Sequence, residues 1–226
     1  MTGDAKSPEL DAVKLFPLPG VVLFPRAVLP LHIFEYRYRQ MTADALAGDR
    51  HIAMALLQPG WEQSYYGRPA LEPVVCIGRI LSHEMLPDGK YNFLLQGVMR
   101  AEIVREVEAG EAYRVAETKP LEETLVSEVA LRVERERLSE LFLSSPMGEM
   151  GAGQQFRQIV RSDLATPEVA DLAAFTFLED AAVKQSLLAE ADVRRRVRMT
   201  VEALEALVRG MPPGLKVRRP IDPSVN

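Results

Sequence analysis

Up to about residue 120 the chain is a succession of short apolar runs broken by proline and glycine. Val13 to Leu18, Val28 to Ile33, His51 to Leu57, Val74 to Met85, Tyr91 to Val107 and Tyr113 to Thr118 are rich in Val, Ile, Leu and aromatic residues. They end at turn formers, which predicts six strands. Leu86-Pro87-Asp88-Gly89-Lys90 separates two of them, and Asp-Gly supplies the positive φ angles a tight hairpin demands. Beyond it Tyr91, Phe93 and Leu95 alternate with Asn92, Leu94 and Gln96. Gly97 then interrupts the run and the apolar phase shifts, which predicts a bulge or corner. Phe34, Tyr38, Met41, Ala45 and Leu46 recur at helical spacing before Gly48, so one helix is expected inside the β-rich part. Glu35 and Arg39, four apart, are expected to pair along its surface. Several short strands with corners favour a closed or partly closed barrel over a flat sheet.

After residue 120 the period becomes helical. From Thr124 to Leu143 an approximate stripe runs through Val126, Val129, Val133, Leu138, Leu141 and Phe142. Ser144 to Gly153, with Gly148, Gly151 and Gly153, reads as a loop. Phe156, Ile159, Val160 and Leu164 restart a helix. Thr166-Pro167-Glu168 predicts a helix start: a capping hydroxyl, proline at the first helical position, and an acid facing the positive dipole end. That helix runs to about Phe177, and a shorter one covers Ala181 to Ala189. Asp192 caps a last helix striped by Val193, Val197, Thr200, Val201, Leu204, Leu207 and Val208, which Gly210 and Pro212-Pro213 end. The expectation is an α+β plan: a β-barrel part over 10–120, a helical bundle over 121–210 and a loose tail over 211–226.

Composition narrows the class of function. The chain has 226 residues, 47% hydrophobic and 26% charged, so it buries enough apolar surface to fold without a disulfide or metal staple. No apolar run approaches the ~20 residues a membrane span requires. Met1 to Leu10 holds no apolar stretch of the signal-peptide kind. The one cysteine, Cys76, sits in the apolar run Val74-Val75-Cys76-Ile77, where an apolar setting suppresses thiolate; a reducing cytoplasm fits best. A net charge of −5 argues against a general nucleic-acid binder. The cluster Arg194-Arg195-Arg196 with Arg198 covers nearly a full helical turn and reads as a solvated face.

Common catalytic signatures are missing. Gly89-Lys90 lacks the upstream glycine of a phosphate-binding loop and lies in a hairpin turn. There is no G-x-S-x-G nucleophile elbow. His83-Glu84 begins like a zinc-protease motif without its second histidine, and His32 and His51 are distant in sequence. No metal or cofactor is expected. Three segments are candidates for binding instead. Leu15 to Leu31 carries Pro17, Pro19, Pro25 and Pro30 among apolar residues, which suits edge strands and corners. Its functional reading is an exposed apolar edge offered to a partner. Gln58 to Pro69 holds Trp61, Tyr65, Tyr66 and Arg68 in a Pro/Gly-flanked loop, and these residue types dominate binding hot spots; Trp61 folded back over the core is the other reading. Met147 and Met150 in the glycine-rich loop supply flexible thioethers suited to adaptable apolar contacts.

Leu15-Phe16-Pro17-Leu18 through Val22-Leu23-Phe24-Pro25, followed by Leu29-Pro30-Leu31-His32-Ile33-Phe34-Glu35-Tyr36-Arg37-Tyr38, resembles the start of the Lon protease N-terminal (LON substrate-binding) domain. The resemblance continues through Gly78-Arg79-Ile80, the Leu86 to Gly89 hairpin, Gly97 to Ile103, and Lys184 to Arg196, in the family's order. It covers about Leu15 to Val208. Arg26 stands where standalone relatives often carry glycine. The resemblance implies a PUA-like β-barrel followed by a helical bundle, with the ATPase and Ser/Lys protease domains of full-length Lon not expected in a chain of this length. It carries no catalytic residue over. The expected function is therefore non-catalytic recognition of unfolded or apolar protein segments, acting in trans with a protease or chaperone. RNA or small-ligand binding by the barrel, and a peptidase-associated activity, are the alternatives. Trp61, Tyr65, Tyr66, Arg68, Met147 and Met150 are the residues expected at the peptide.

Overall fold

The structure, a computed structural model, describes residues 10–64, 67–149 and 151–210. They fall into two compact units, one ending at Leu121 and one beginning at Glu122.

The first unit is a mixed six-stranded sheet with one helix: β1 (Val13–Leu18), β2 (Val28–Ile33), α1 (Tyr36–Ala47), β3 (His51–Leu56), β4 (Val74–Met85), β5 (Tyr91–Val107) and β6 (Arg114–Pro120). The strand order is β2-β5-β4-β3-β1-β6, and β5 also pairs with β6. That second pairing closes β5, β4, β3, β1 and β6 into a ring and leaves β2 attached outside it, on the first half of β5. β1 and β3 run parallel, a connection that needs a crossover, and β2 with α1 supplies it. β3 is buried along its whole length, as a strand enclosed on both faces must be. The ring is filled by Val13, Leu15, Val75 and Ile77 together with Ala53, Ala55, Ala101 and Ala116. A narrow closed sheet leaves room for small side chains between the branched ones, which is why four alanines stand there.

Turn chemistry works as the sequence predicts. Gly89 has φ 77°, and Gly89 and Leu86 close the hairpin through N–H bonds to the carbonyls of Leu86 and Lys90. The register shifts between Ile77 and Gly78, which lies opposite Gly97. A Cβ on Gly97 would lie 2.0 Å from the carbonyl oxygen of Phe24, so the corner exists because two backbones meet there. Arg26 takes φ 66°, the left-handed conformation glycine adopts at no steric cost.

The second unit packs α2 (Arg132–Leu143), α3 (Gly151–Val160), α4 (Thr166–Phe177), α5 (Ala181–Ala189) and α6 (Val193–Arg209). Phe142, Phe156 and Phe177 meet with ring centroids 4.5–5.3 Å apart at its centre. Three expectations are corrected here. The stripe from Val126 to Val133 is not core: Val129 is 85% exposed, because a 3₁₀ turn (Glu128–Leu131) precedes α2 and resets the helical phase. Thr166 does not cap α4; its hydroxyl and N–H donate to the Glu128 carboxylate, and Ala165 stands at the cap with its N–H on Glu168. Within the Ser144 to Gly153 segment, read as a loop, Pro146–Glu149 form a 3₁₀ turn and α3 begins at Gly151. A Cβ on Gly148 would sit 1.9 Å from the Phe142 carbonyl oxygen, and one on Gly153 1.9 Å from that of Met147. Those glycines serve close packing. Asp192 caps α6 as expected, accepting from the Arg195 N–H at 2.9 Å.

Candidate functional site

A groove of about 240 Å³ opens in the sheet unit between β1 and β2. Phe16, Leu18 and Pro19 form one wall, Pro30 to Ile33 the other, and Phe34, Glu35 and Tyr38 close the end where the chain enters α1. The sequence dictates this arrangement locally. Pro30 has no N–H to give and holds β2 to the outside of the sheet. Gly20, at φ 73°, turns the chain away from the end of β1. Helix α1 begins only at Tyr36, so Phe34 stays in the lead-in segment, 47% exposed at the rim. The apolar spacing that included Phe34 in the helix put it on the buried stripe; the late helix start places it at the opening instead.

The walls are fixed by specific contacts. The buried rings of Phe16 and Tyr38 lie 4.5 Å apart, tilted by 53°, and the Tyr38 hydroxyl donates to the Pro17 carbonyl. The Arg37 guanidinium sits 4.5 Å from the centre of the Tyr38 ring and donates to Glu35 at 3.0 Å. Glu35 therefore pairs with Arg37, not with Arg39 as its spacing suggests; the Arg39 guanidinium lies against Gly89 in the hairpin. His32 hydrogen-bonds Asn92 across the β2–β5 pair at 2.7 Å and its ring stacks toward Phe34 at 6.2 Å. Val28, Pro30 and Leu94 lie exposed on the neighbouring sheet surface, Pro30 directly opposite Leu94. This is an apolar, neutralised surface. Among the described residues it places no nucleophile beside a base.

The sequence candidates distribute unevenly. Trp61 opens a 3₁₀ turn (Trp61–Ser64) and is half-buried. Arg68 is exposed, 3.9 Å from Glu106. Neither lines the groove, but the end of their loop abuts it: Gly67 and Pro69 share a small crevice with Pro17, Arg37 and Tyr38. Arg114 anchors that end, donating to the Pro69 carbonyl at 2.7 Å and holding the Glu106 carboxylate. Its hydrogen bonds to Glu106 draw that carboxyl below the ordinary range. Met147 is fully buried among the helices of the second unit and faces no partner, because the 3₁₀ turn that carries it is packed inward. Tyr65, Tyr66 and Met150 lie outside the described residues. The groove residues from Phe16 to Leu31 fall within the proline-rich segment that reads as an apolar edge; His32 and Ile33 lie just past it in β2, and helical spacing hides Phe34, Glu35 and Tyr38. The signal that finds them is the series of aromatic residues Phe34, Tyr36 and Tyr38 that follows Leu31.

Among the described residues no group of His, Cys, Asp or Glu is arranged to hold a metal ion, and no helix is long and apolar enough to cross a membrane.

Comparison with known proteins points in one direction. The family model of the ATP-dependent protease La (LON) substrate-binding domain matches residues 12–206. The Lon protease of Desulfosudis oleivorans is 22% identical over 208 residues, covering 86% of this chain and 24% of that protein. Among solved structures, the N-terminal domain of the Mycobacterium avium complex Lon protease superposes with a TM-score of 0.69 at 17% identity, covering 86% of this chain and 98% of that one. The Lon N-terminal domain protein from Xanthomonas campestris gives 0.57 at 22% identity, covering 89% and 99%. The chain thus spans about a quarter of the length of the curated relatives it matches.

Proposed function

The chain belongs to the LON substrate-binding domain family, and from that premise we propose that it is a non-catalytic recognition module for unfolded or apolar protein segments, with the β1–β2 groove as the binding surface. The observation that carries this reading is the groove itself: an apolar channel whose one carboxylate is already engaged by Arg37. An unfolded chain exposes apolar side chains to water. Covering them recovers roughly 25 cal/mol per Å² before ordering costs, so a shallow groove binds weakly and tolerates many sequences. The exposed Val28, Pro30 and Leu94 extend the surface beyond the groove, and the Trp61 to Arg68 loop flanks it through Gly67 and Pro69. Trp61, Tyr65, Tyr66 and Arg68 are then a second contact region. Curated relatives carry a matching segment within proteases about four times as long. Handing a bound segment to a protease or chaperone in trans is the role that corresponds here.

The test uses reduced, carboxymethylated α-lactalbumin, which stays unfolded in native buffer, labelled for fluorescence anisotropy. The wild-type protein is expected to bind it with micromolar-range affinity, and Phe34→Ser to weaken binding about ten-fold, since removing one aromatic anchor costs on the order of 1–2 kcal/mol. Binding left unchanged by Phe34→Ser and by Leu31→Ser would rule the groove out.

A further inference from the structure

The groove has a direction, and its direction selects the conformation of what enters it. Side chains of a strand alternate between the two faces of a sheet. Pro30, Leu31, His32 and Ile33 are consecutive in β2 and all four line the groove. A cavity that touches four consecutive residues of a strand runs along the strand's edge, not over one face. β2 is the terminal strand of the order, with β5 as its one neighbour among the described residues, which leave this edge open.

The backbone phase along that edge is fixed. The Gly97 N–H donates to the Ala27 carbonyl at 2.9 Å, which points that carbonyl at β5 at the start of the β2–β5 ladder, while the Ala27 N–H turns back to the Phe24 carbonyl. Antiparallel ladders alternate bonded and non-bonded pairs. Leu29, Leu31 and Ile33 therefore turn their N–H and C=O groups toward β5, and Val28, Pro30 and His32 turn theirs outward. Pro30 agrees with this phase, because a residue without an N–H belongs where the ladder needs none from it. The open edge thus offers two N–H donors, from Val28 and His32, and three carbonyl acceptors. Across the groove, β6 pairs with β1 only from Val13 to Leu15, so the Phe16 to Leu18 stretch presents apolar side chains with no strand on that side among the described residues.

We infer that the segment recognised at this groove binds as an added β-strand, hydrogen-bonded along the outer edge of β2 with alternate apolar side chains packed toward Phe16 and Leu18. This deepens the function proposed above and rests on it. The occupant is an extended, uncharged apolar stretch of a foreign polypeptide: Glu35 is neutralised by Arg37, so no wall charge calls for a charged side chain. Backbone pairing supplies affinity that does not depend on the guest's sequence, as a receptor for many unfolded chains requires. Pro30 interrupts the donor row and keeps the ladder short, which limits the edge-to-edge association of whole sheets.

The experiment measures binding of a short synthetic peptide alternating leucine and threonine, unmodified and in two N-methylated forms, each methylated on one of the two alternate sets of amides. Strand addition makes one methylated form at least about ten-fold weaker than the parent and leaves the other nearly unchanged, because only one set of amides faces β2. On the protein, His32→Pro removes one outward N–H and weakens the unmodified peptide about five-fold relative to His32→Ala, which loses the same imidazole and keeps the N–H. Circular dichroism shows whether both variants fold, and the two peptides test the proposal on the wild-type protein in any case. If both methylated forms bind as tightly as the parent while Phe34→Ser weakens them all, the groove reading stands and strand addition is overturned. If the parent peptide does not bind at all, both fall. If the peptide-free protein dimerises in sedimentation velocity and His32→Pro abolishes the dimer, the edge belongs to a second copy and the proposal is overturned.

Discussion

Two segments of this chain are rich in residues that interrupt regular structure, and they end in opposite environments. Leu15 to Phe34 carries prolines among apolar residues and becomes two strands and the walls of an open groove. Ser144 to Gly153 carries glycines and methionines, and its described residues pack tightly, with Met147 fully buried and Gly148 and Gly153 pressed against backbone carbonyls. By composition the first reads as edge strands and corners and the second as a loop. Proline removes a donor and so confines its strand to the edge of a sheet. Glycine removes a Cβ and so permits close approach, which closes structure instead of opening it. Breaking residues therefore need to be read by what each removes.

The largest effect that sharpens this contrast is on the glycine side. Gly148→Ala places a Cβ against the Phe142 carbonyl, and unfolding in urea is expected to show a loss of about 3 kcal/mol, at the upper end of overpacking costs. Met147→Ala, which empties a fully buried site, is expected to lose about 2–3 kcal/mol. A Met147→Ala protein as stable as wild type would mean the junction is as open as its composition suggests. Phe34→Ser, on the proline side, is expected to change stability by less than about 1 kcal/mol, since the side chain is half exposed, while weakening the unfolded probe.

A smaller effect separates the sheet unit by pH. His51 is buried beside Asp49 at 3.2 Å, with Lys14 on the same carboxylate and Arg79 opposite in β4. Burial pushes its pKa below the ordinary 6.5, outweighing the pull of Asp49. The unfolded chain then binds the proton more readily than the folded one. Stability is full above pH 6.5 and falls as pH drops below that value toward the lowered pKa. His51→Asn is expected to flatten the slope in this window in a pH series of urea melts. A second loss, as pH falls below the ordinary 4.5 of Glu106 and through its lowered pKa, belongs to the ion pair with Arg114. The smallest expected effect is Arg26→Gly, which relieves a left-handed backbone for a gain of under about 1 kcal/mol in the same melts.

Much of the architecture was legible because local signals and global fold agree. Asp88-Gly89 makes the hairpin, Gly97 marks the corner, Asp192 caps α6, and the six strands fall where the apolar runs do. The closing of β5 onto β6 was legible only as a preference for closure, since register between distant strands is set by packing inside the ring. The errors have a common cause. Spacing places Val129, Val133 and Phe34 on helical stripes whose buried faces begin later in the chain than it suggests. Periodicity says which residues share a face once a helix exists; it does not say where the first turn starts. The groove was half legible: Leu15 to Leu31 showed an apolar edge, but the pairing of Arg37 with Glu35, which leaves the groove without net charge, is a matter of three-dimensional reach.

The central claim is that the β1–β2 groove, and not the Trp61 loop or the helical unit, is the primary recognition surface. Backbone amide chemical-shift mapping on the isotopically labelled protein, titrated with unlabelled reduced and carboxymethylated α-lactalbumin, tests it most directly. The account predicts that the largest shifts fall on Leu18, Leu31, His32, Ile33 and Phe34, with smaller ones at Trp61 and Arg68. Shifts concentrated on the exposed Leu125, Val129 and Val133 surface of the helical unit, with the groove amides unmoved, would contradict it.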